Sequence, residues 1–273
     1  MSAGGLPGGC RAFALLRLWA LVLASALTGL MTAWPVMAQA QIAPGQRLSS
    51  AVHMSPENRA LQDDLTQHPA SLWLQEGQEL WQRPAPGGGA SCAQCHGDVT
   101  QLKGTATRYP LRQAGVLLTL EDRINQCRTQ RQQAPAWHKE SSQMLALSAW
   151  VSLPSRGLPI TPSVGAGDPD WQAGQKWFKQ RLGQIGLSCA QCHDERWGRK
   201  LAGVVIPQAH PTGYPLYRLE WRSMGSLQRR LRNCMNAVRA EPFATDAPEW
   251  TQLEVYLKWR ARGMALETPA LRP

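Results

Sequence analysis

The chain has 273 residues, 43% of them hydrophobic and 18% charged, with a formal net charge of +10. That length accommodates two ordinary domains, and the apolar share suits a globular chain in water. The basic balance favours anionic substrates or acidic partners, and with no basic stripe interleaved with aromatic residues a nucleic-acid interface is excluded. Tryptophan is over-used, twelve against three Phe and four Tyr. Its large apolar body with a single N–H suits the partly polar wall around a bound group.

Residues 1–40 read as a secretory signal peptide: Arg11 and Arg17, the apolar run Leu18 to Leu30, then Ala38-Gln39-Ala40. The apolar core is shorter than the ~20 residues a membrane span needs. No stable membrane span is therefore expected, and the mature chain begins near Gln41 in the periplasm. Gln41 to about Ala70 is polar and reads as an arm packed on a module or on a partner.

From there the chain is written twice. Helical spacing predicts a helix from Leu72 to Trp81, and again from Trp171 to Arg181, the second with Asp168 or Asp170 as N-cap. Gly77 and Gly174 each stand fifteen residues before a first cysteine, and Cys92-Ala93-Gln94-Cys95-His96 recurs as Cys189-Ala190-Gln191-Cys192-His193. Tyr109-Pro110-Leu111 is echoed by Tyr214-Pro215-Leu216, and the helical stretch Leu120 to Arg131, carrying Cys127, by Leu227 to Arg239 with Cys234. Each half closes on an amphipathic stretch containing tryptophan, Gln143 to Val151 and Trp250 to Trp259. The Pro- and Gly-rich segment Pro154 to Pro169 is the linker. No stretch alternates in the manner of a strand. The expected fold is all-α, with two tandem domains related by internal duplication, 41–155 and 156–273, behind the signal peptide 1–40.

C-x-x-C-H in an exported chain is the attachment signature of c-type haem. Cys92 and Cys95, then Cys189 and Cys192, would bind two haems covalently through their vinyl groups. His96 and His193 would be the proximal iron ligands. Zinc is disfavoured because its cysteine pairs usually lie closer in sequence, and a thioredoxin-like motif lacks the βαβ pattern it needs. For the distal ligand, neither Met144 and Met224 nor His138 and His210 occupy matched positions, whereas Cys127 and Cys234 do. The competing reading is a Cys127–Cys234 disulfide. A thiolate donor would lower the iron potential and suit chemistry better than simple electron carriage. Arg123 and Arg230 also match, four residues before each cysteine and so on the same helix face. The first reads as a surface or propionate partner. In the second half Arg229, Arg230, Arg232 and Arg239 are expected around Cys234.

Two C-A-Q-C-H modules, each followed by a helix bearing R-x-x-x-C, resemble the SoxA family, the dihaem subunit of SoxAX cytochromes in sulfur-oxidising bacteria. The resemblance runs from Leu72 to about Gly263. It implies His/Cys ligation of both haems, with Cys127 and Cys234 as distal ligands, Cys234 as a catalytic persulfide or thiolate, and Arg230 as the substrate-binding residue. It further implies a thiosulfate-oxidising L-cysteine S-thiosulfotransferase. This would join thiosulfate to a cysteine of a SoxYZ-type sulfur carrier and pass two electrons to a SoxX-type monohaem cytochrome. The first haem is then expected to handle electrons and the second to carry the reaction. The alternatives are a dihaem electron carrier without an active site, similar to tandem cytochromes c4, and a dihaem peroxidase, whose chains are usually longer.

Overall fold

The computed structural model describes residues 42–273. The signal-peptide reading falls on residues 1–40 and lies outside the described residues. Among the described residues no helix is long and apolar enough to cross a membrane.

The two halves of the sequence become two helix pairs in space. In the first half α2 (Ser71–Gln82) packs on α5 (Ser142–Ser152); in the second α6 (Pro169–Lys179) packs on α9 (Pro248–Arg260). Both crossings depend on a glycine. A Cβ at Gly77 would lie 2.7 Å from Trp150 Cβ and closer still to the Ala146 carbonyl oxygen. One at Gly174 would lie 2.9 Å from Tyr256 Cβ and closer still to the Gln252 carbonyl oxygen. Each pair buries its own aromatic-rich core: Trp81, Ile124, Met144 and Leu147 in the first half, Trp171, Phe178, Leu253 and Tyr256 in the second. A further cluster, Leu74, Leu145, Ala149 and Met224, joins the two halves.

The short C-A-Q-C-H segments form single helical turns, α3 (Cys92–His96) and α7 (Cys189–His193). Serine precedes each, and Ser91 with Gln94, like Ser188 with Gln191, closes a capping box. The backbone donors at the start of each turn are thereby satisfied, which holds the turn without the length a free helix needs. Cys127 and Cys234 ride on α4 (Leu120–Gln130), capped by Thr119 and Asp122, and α8 (Leu227–Ala237), capped by Ser226. At the start of α6 it is Asp168 that caps, accepting from Asp170 N, while Asp170 sits in the first turn.

The helical reading holds for the scaffold, and the structure adds short strands that the sequence analysis did not foresee. β1 (Leu111–Gln113) and β2 (Val116–Leu118) form a hairpin, as do β3 (Lys200–Leu201) and β4 (Val204–Val205). Both turn on Ala-Gly with both residues at positive φ, the backbone that two-residue hairpins require. β5 (Leu216–Arg218) is the centre of a three-stranded sheet, antiparallel to β6 (Ser223–Gly225) and parallel to β7 (Ala270–Arg272). Strands of two or three residues give no period to read.

The arm, which also carries α1 (Pro56–Asp63), packs on the second half. Leu48 N donates to Gln208 Oε1 at 2.7 Å, Ser49 Oγ donates to Glu267, and Arg272 donates to Ser50 and Gln62 while pairing with Glu267. The linker is stitched down as well: Ile160 N donates to Met264 O and Thr161 N to Thr107 O.

Where the halves meet lies a small cavity of about 30 Å³ lined by Tyr109, Glu121, Lys139, Tyr214, Glu254 and Lys258. Burial, reinforced by the charge of Glu121, pushes the Glu254 carboxyl up to about 8, and burial holds Lys258 below its ordinary value. Between the ordinary carboxylate range and pH 8 the folded chain therefore keeps a proton on Glu254 that the unfolded chain releases. Over that window this group's contribution to stability falls as pH rises. Glu254→Gln is accordingly expected to raise the melting temperature at pH 8 by more than at pH 5, the difference amounting to several degrees at about 2–4 °C per kcal/mol. Thermal unfolding followed by circular dichroism at the two pH values checks it.

Candidate functional site

Three of the five site residues expected in the second half meet at one cavity of about 340 Å³, and Cys189 and Cys192 do not line it. His193, Arg230 and Cys234 line it together with His53, Tyr214, Arg218 and Arg272. His193 comes from the last position of α7, and its Nδ1 lies 2.6 Å from the Pro207 carbonyl oxygen. A proton on Nδ1 fits that contact and leaves Nε2 as the free ring nitrogen, the tautomer a metal-ligating histidine needs. Burial lowers the pKa of His193, which keeps the ring neutral. Behind it, Asp194 pairs with Arg260 at 2.6 Å, both side chains more than nine-tenths buried, and Arg260 also donates to Gln208 O and lies over the Phe178 ring. This braces α7 against α9.

Cys234 and Arg230 stand one turn apart on α8, as the spacing implies. The Arg230 side chain has no hydrogen bond or ion pair with any described residue. Its counterpart Arg123 is held by two amide oxygens, Gln113 Oε1 at 3.2 Å and Gln126 Oε1. Tyr214, between the two cavities, has its hydroxyl pushed up to about 12, first by burial and with Arg230 and Cys234 as opposing smaller influences. It is a neutral donor across the physiological range.

Three of the four arginines expected around Cys234 turn elsewhere. Arg229 stacks on Trp221 and donates to Ser223 and Met224, Arg232 lies over Trp250, and Arg239 is exposed beyond the helix end. Successive helix residues diverge by about 100°, so only one residue in a run of three can share a face with Cys234. The cavity instead takes Arg218 from β5 and Arg272 from β7, neither of which the sequence pointed to. His210, set aside as a ligand for want of a matched partner, lies in the wall with Nδ1 3.1 Å from Leu48 O, and burial lowers its pKa to about 4.

In the first half Cys127 lies near enough to Cys92 for its charge to add to the burial that raises the Cys92 thiol. His96 is exposed beside Trp81, the two ring centroids 5.9 Å apart, and Trp81 Nε1 donates to Gly97 O. All six cysteines among the described residues are free, which removes the Cys127–Cys234 disulfide as a reading. Met144 and Met224 are buried in the hydrophobic clusters, and neither lines the large cavity. A capped C-x-x-C-H turn, a neutral histidine with one nitrogen tied back, and an unpaired cysteine lining the same cavity are a donor set that fits haem.

The arrangement is that of a c-type cytochrome. The family described as "SoxA/TsdA, cytochrome c domain" matches residues 76–160 and 173–266. The L-cysteine S-thiosulfotransferase subunit SoxA of Rhodovulum sulfidophilum is 33% identical over 79% of this chain and 77% of its own, and that of Pseudaminobacter salicylatoxidans 30% identical over 82% and 80%. The crystal structure of SoxXA from P. pantotrophus superposes with a TM-score of 0.80 at 28% identity, covering 83% of this chain and 87% of that one. The chain belongs to the SoxA/TsdA cytochrome c family, on its SoxA side.

Proposed function

We propose that this chain is the haem-bearing subunit of a periplasmic thiosulfate-oxidising L-cysteine S-thiosulfotransferase, with the reaction at the second cavity. Its units would be 41–155 and 156–273. Each would hold one haem, on Cys92, Cys95, His96 and Cys127 in the first and Cys189, Cys192, His193 and Cys234 in the second. The names of the relatives supply the activity. The observation that carries the assignment of the site is the contrast between the matched arginines: Arg123 is tied by Gln113 and Gln126, whereas the Arg230 side chain lines the Cys234 cavity with no hydrogen bond or ion pair among the described residues. A guanidinium left unpaired in a partly buried wall is suited to a hydrated dianion such as thiosulfate, whose oxygens it can bind as a fork.

Arg230 would hold the sulfonate end while the outer sulfur faces Cys234. The Cys234 thiolate forms a sulfur–sulfur bond to that outer sulfur, and two electrons leave. A carrier thiol of SoxYZ type then attacks the same sulfur, releasing its proton and displacing Cys234 as thiolate. Bound haem supplies the low-potential electron sink, with a SoxX-type monohaem cytochrome as the acceptor beyond it.

Low-temperature EPR of the oxidised protein tests the ligand set. Two low-spin signals with the compressed g-spread of thiolate ligation are expected, and a mass two haems above that of the mature polypeptide. A methionine-type spectrum at the second haem would favour the plain electron carrier.

A further inference from the structure

The repeat offers an internal control for what Arg230 meets. Counting from the matched Tyr-Pro-Leu segments, Gln113 is the third residue of β1 and Arg218 the third residue of β5. In the first half that position supplies an amide oxygen, which takes a hydrogen bond from Arg123 Nη1. In the second half it supplies a second guanidinium. Arg218 and Arg230 cannot bond each other, yet both line the cavity that Cys234 lines. The Arg218 side chain is only 13% exposed; its one hydrogen-bonding partner among the described residues is Glu220, whose Oε2 accepts from Nε at 2.7 Å, and its guanidinium lies 5.6 Å from the Trp221 ring centroid. Its two Nη atoms make no hydrogen bond to any described residue. Arg272, the neighbour of Arg218 across β7, is fully engaged by Gln62, Glu267, Ser49 and Ser50 and has nothing left to offer a ligand.

Two unsatisfied cations on one wall repel each other and are costly to keep partly buried without an anion between them. Glu220 partly fills that role. Its carboxyl is held below the ordinary carboxylate range by the Arg218 hydrogen bond first, with Arg230 adding to it, so its charge lies within reach of both arginines. Glu220 is nevertheless 62% exposed and sits in the turn between β5 and β6, free to swing into solvent.

We propose that Arg218 is the second arm of the sulfur-oxyanion site, clamping the sulfonate with Arg230, and that Glu220 is a built-in counter-ion which the substrate displaces. Resting on the thiosulfate reading above, this adds a specificity-determining residue and a competitor to the same cavity. Two guanidiniums favour a compact dianion over a monoanion, and the carboxylate raises the concentration at which any anion wins.

Steady-state kinetics with thiosulfate, on the holo-complex with its partner cytochrome, tests the clamp. Arg218→Ala should raise KM about tenfold with kcat little changed, the loss of one charge-assisted contact. Arg218→Gln should be at least as damaging, because it recreates the first-half pairing and ties up Arg230. Glu220→Gln should lower KM several-fold, an effect no purely structural role gives. Wild-type KM in both Arg218 variants overturns the clamp. So does an Arg218 variant whose haem spectrum shifts while Glu220→Gln leaves KM unchanged, since Arg218 would then serve the haem edge. Arg230→Ala separates the two levels. If it too leaves KM unchanged, thiosulfate does not bind here and the underlying reading falls; if it alone raises KM, only the clamp falls.

Discussion

Cys234→Ala should abolish thiosulfate conjugation while both haems remain attached. On the proposed assignment attachment would use Cys92 and Cys95 on α3 and Cys189 and Cys192 on α7, elements whose capping boxes do not involve α8. The loss is expected to be complete because on this reading the Cys234 sulfur would itself be the nucleophile, and no other cysteine among the described residues lines the cavity. Arg230→Ala should be milder, lowering kcat/KM about ten- to a hundredfold, and Arg230→Lys should recover part of it because an ammonium lacks the planar fork. Cys127→Met, at the matched position where the arginine is already tied to two glutamines, should retain substantial activity. Haem content by pyridine haemochrome beside a thiosulfate-dependent turnover assay checks all four. A Cys127→Met variant as inactive as Cys234→Ala would remove the division of labour between the halves.

The second large effect concerns the scaffold. Gly174→Ala should destabilise the protein by about 3 kcal/mol or more, the upper range for overpacking a tight core. Helix propensity alone points the other way, since alanine is favoured over glycine by about 1 kcal/mol in a helix interior. The contact decides it. The new methyl would press on the Gln252 backbone carbonyl of α9, with Tyr256 Cβ at 2.9 Å behind it, and backbone cannot rotate aside as a side-chain tip can. Gly77→Ala should behave alike against Ala146 and Trp150. Such a loss should lower the melting temperature by roughly 6–12 °C at about 2–4 °C per kcal/mol, which a thermal scan of the holoprotein measures. A neutral or stabilised Gly174→Ala variant would mean that α6 and α9 can separate without cost.

These two glycines mark how far the sequence could be read. They stood out only as repeated letters, yet they lie where the paired helices touch. The helices of both halves were legible because apolar spacing, caps and the absence of proline beyond the first turn agree. The site was legible where chemistry is local: C-x-x-C-H within one turn, and Arg230 with Cys234 one turn apart. What escaped was the part of the cavity built from distant backbone. Arg218 and Arg272 reach it from three-residue strands that pair across more than fifty residues, and no local pattern announces such a pairing. The excess of arginine near Cys234 misled for the converse reason. Proximity in sequence on a helix sends most neighbours to other faces, and Arg229 and Arg232 find tryptophan rings instead.

The clasp between the arm and Arg272 bears on the order of assembly. Ser50 and Arg272 are 222 positions apart, and Gln62 and Arg272 are 210 apart. Contacts of that span carry the largest loop-closure cost and form only when almost the whole chain has emerged. The α7 turn with Cys189 and Cys192, by contrast, is complete within a few residues of sequence. The cavity therefore stays open on its arm side while Cys189 and Cys192, outside its wall, are already in place. A bulky planar group attached there would be delivered before the wall shuts, and the arm would close behind it.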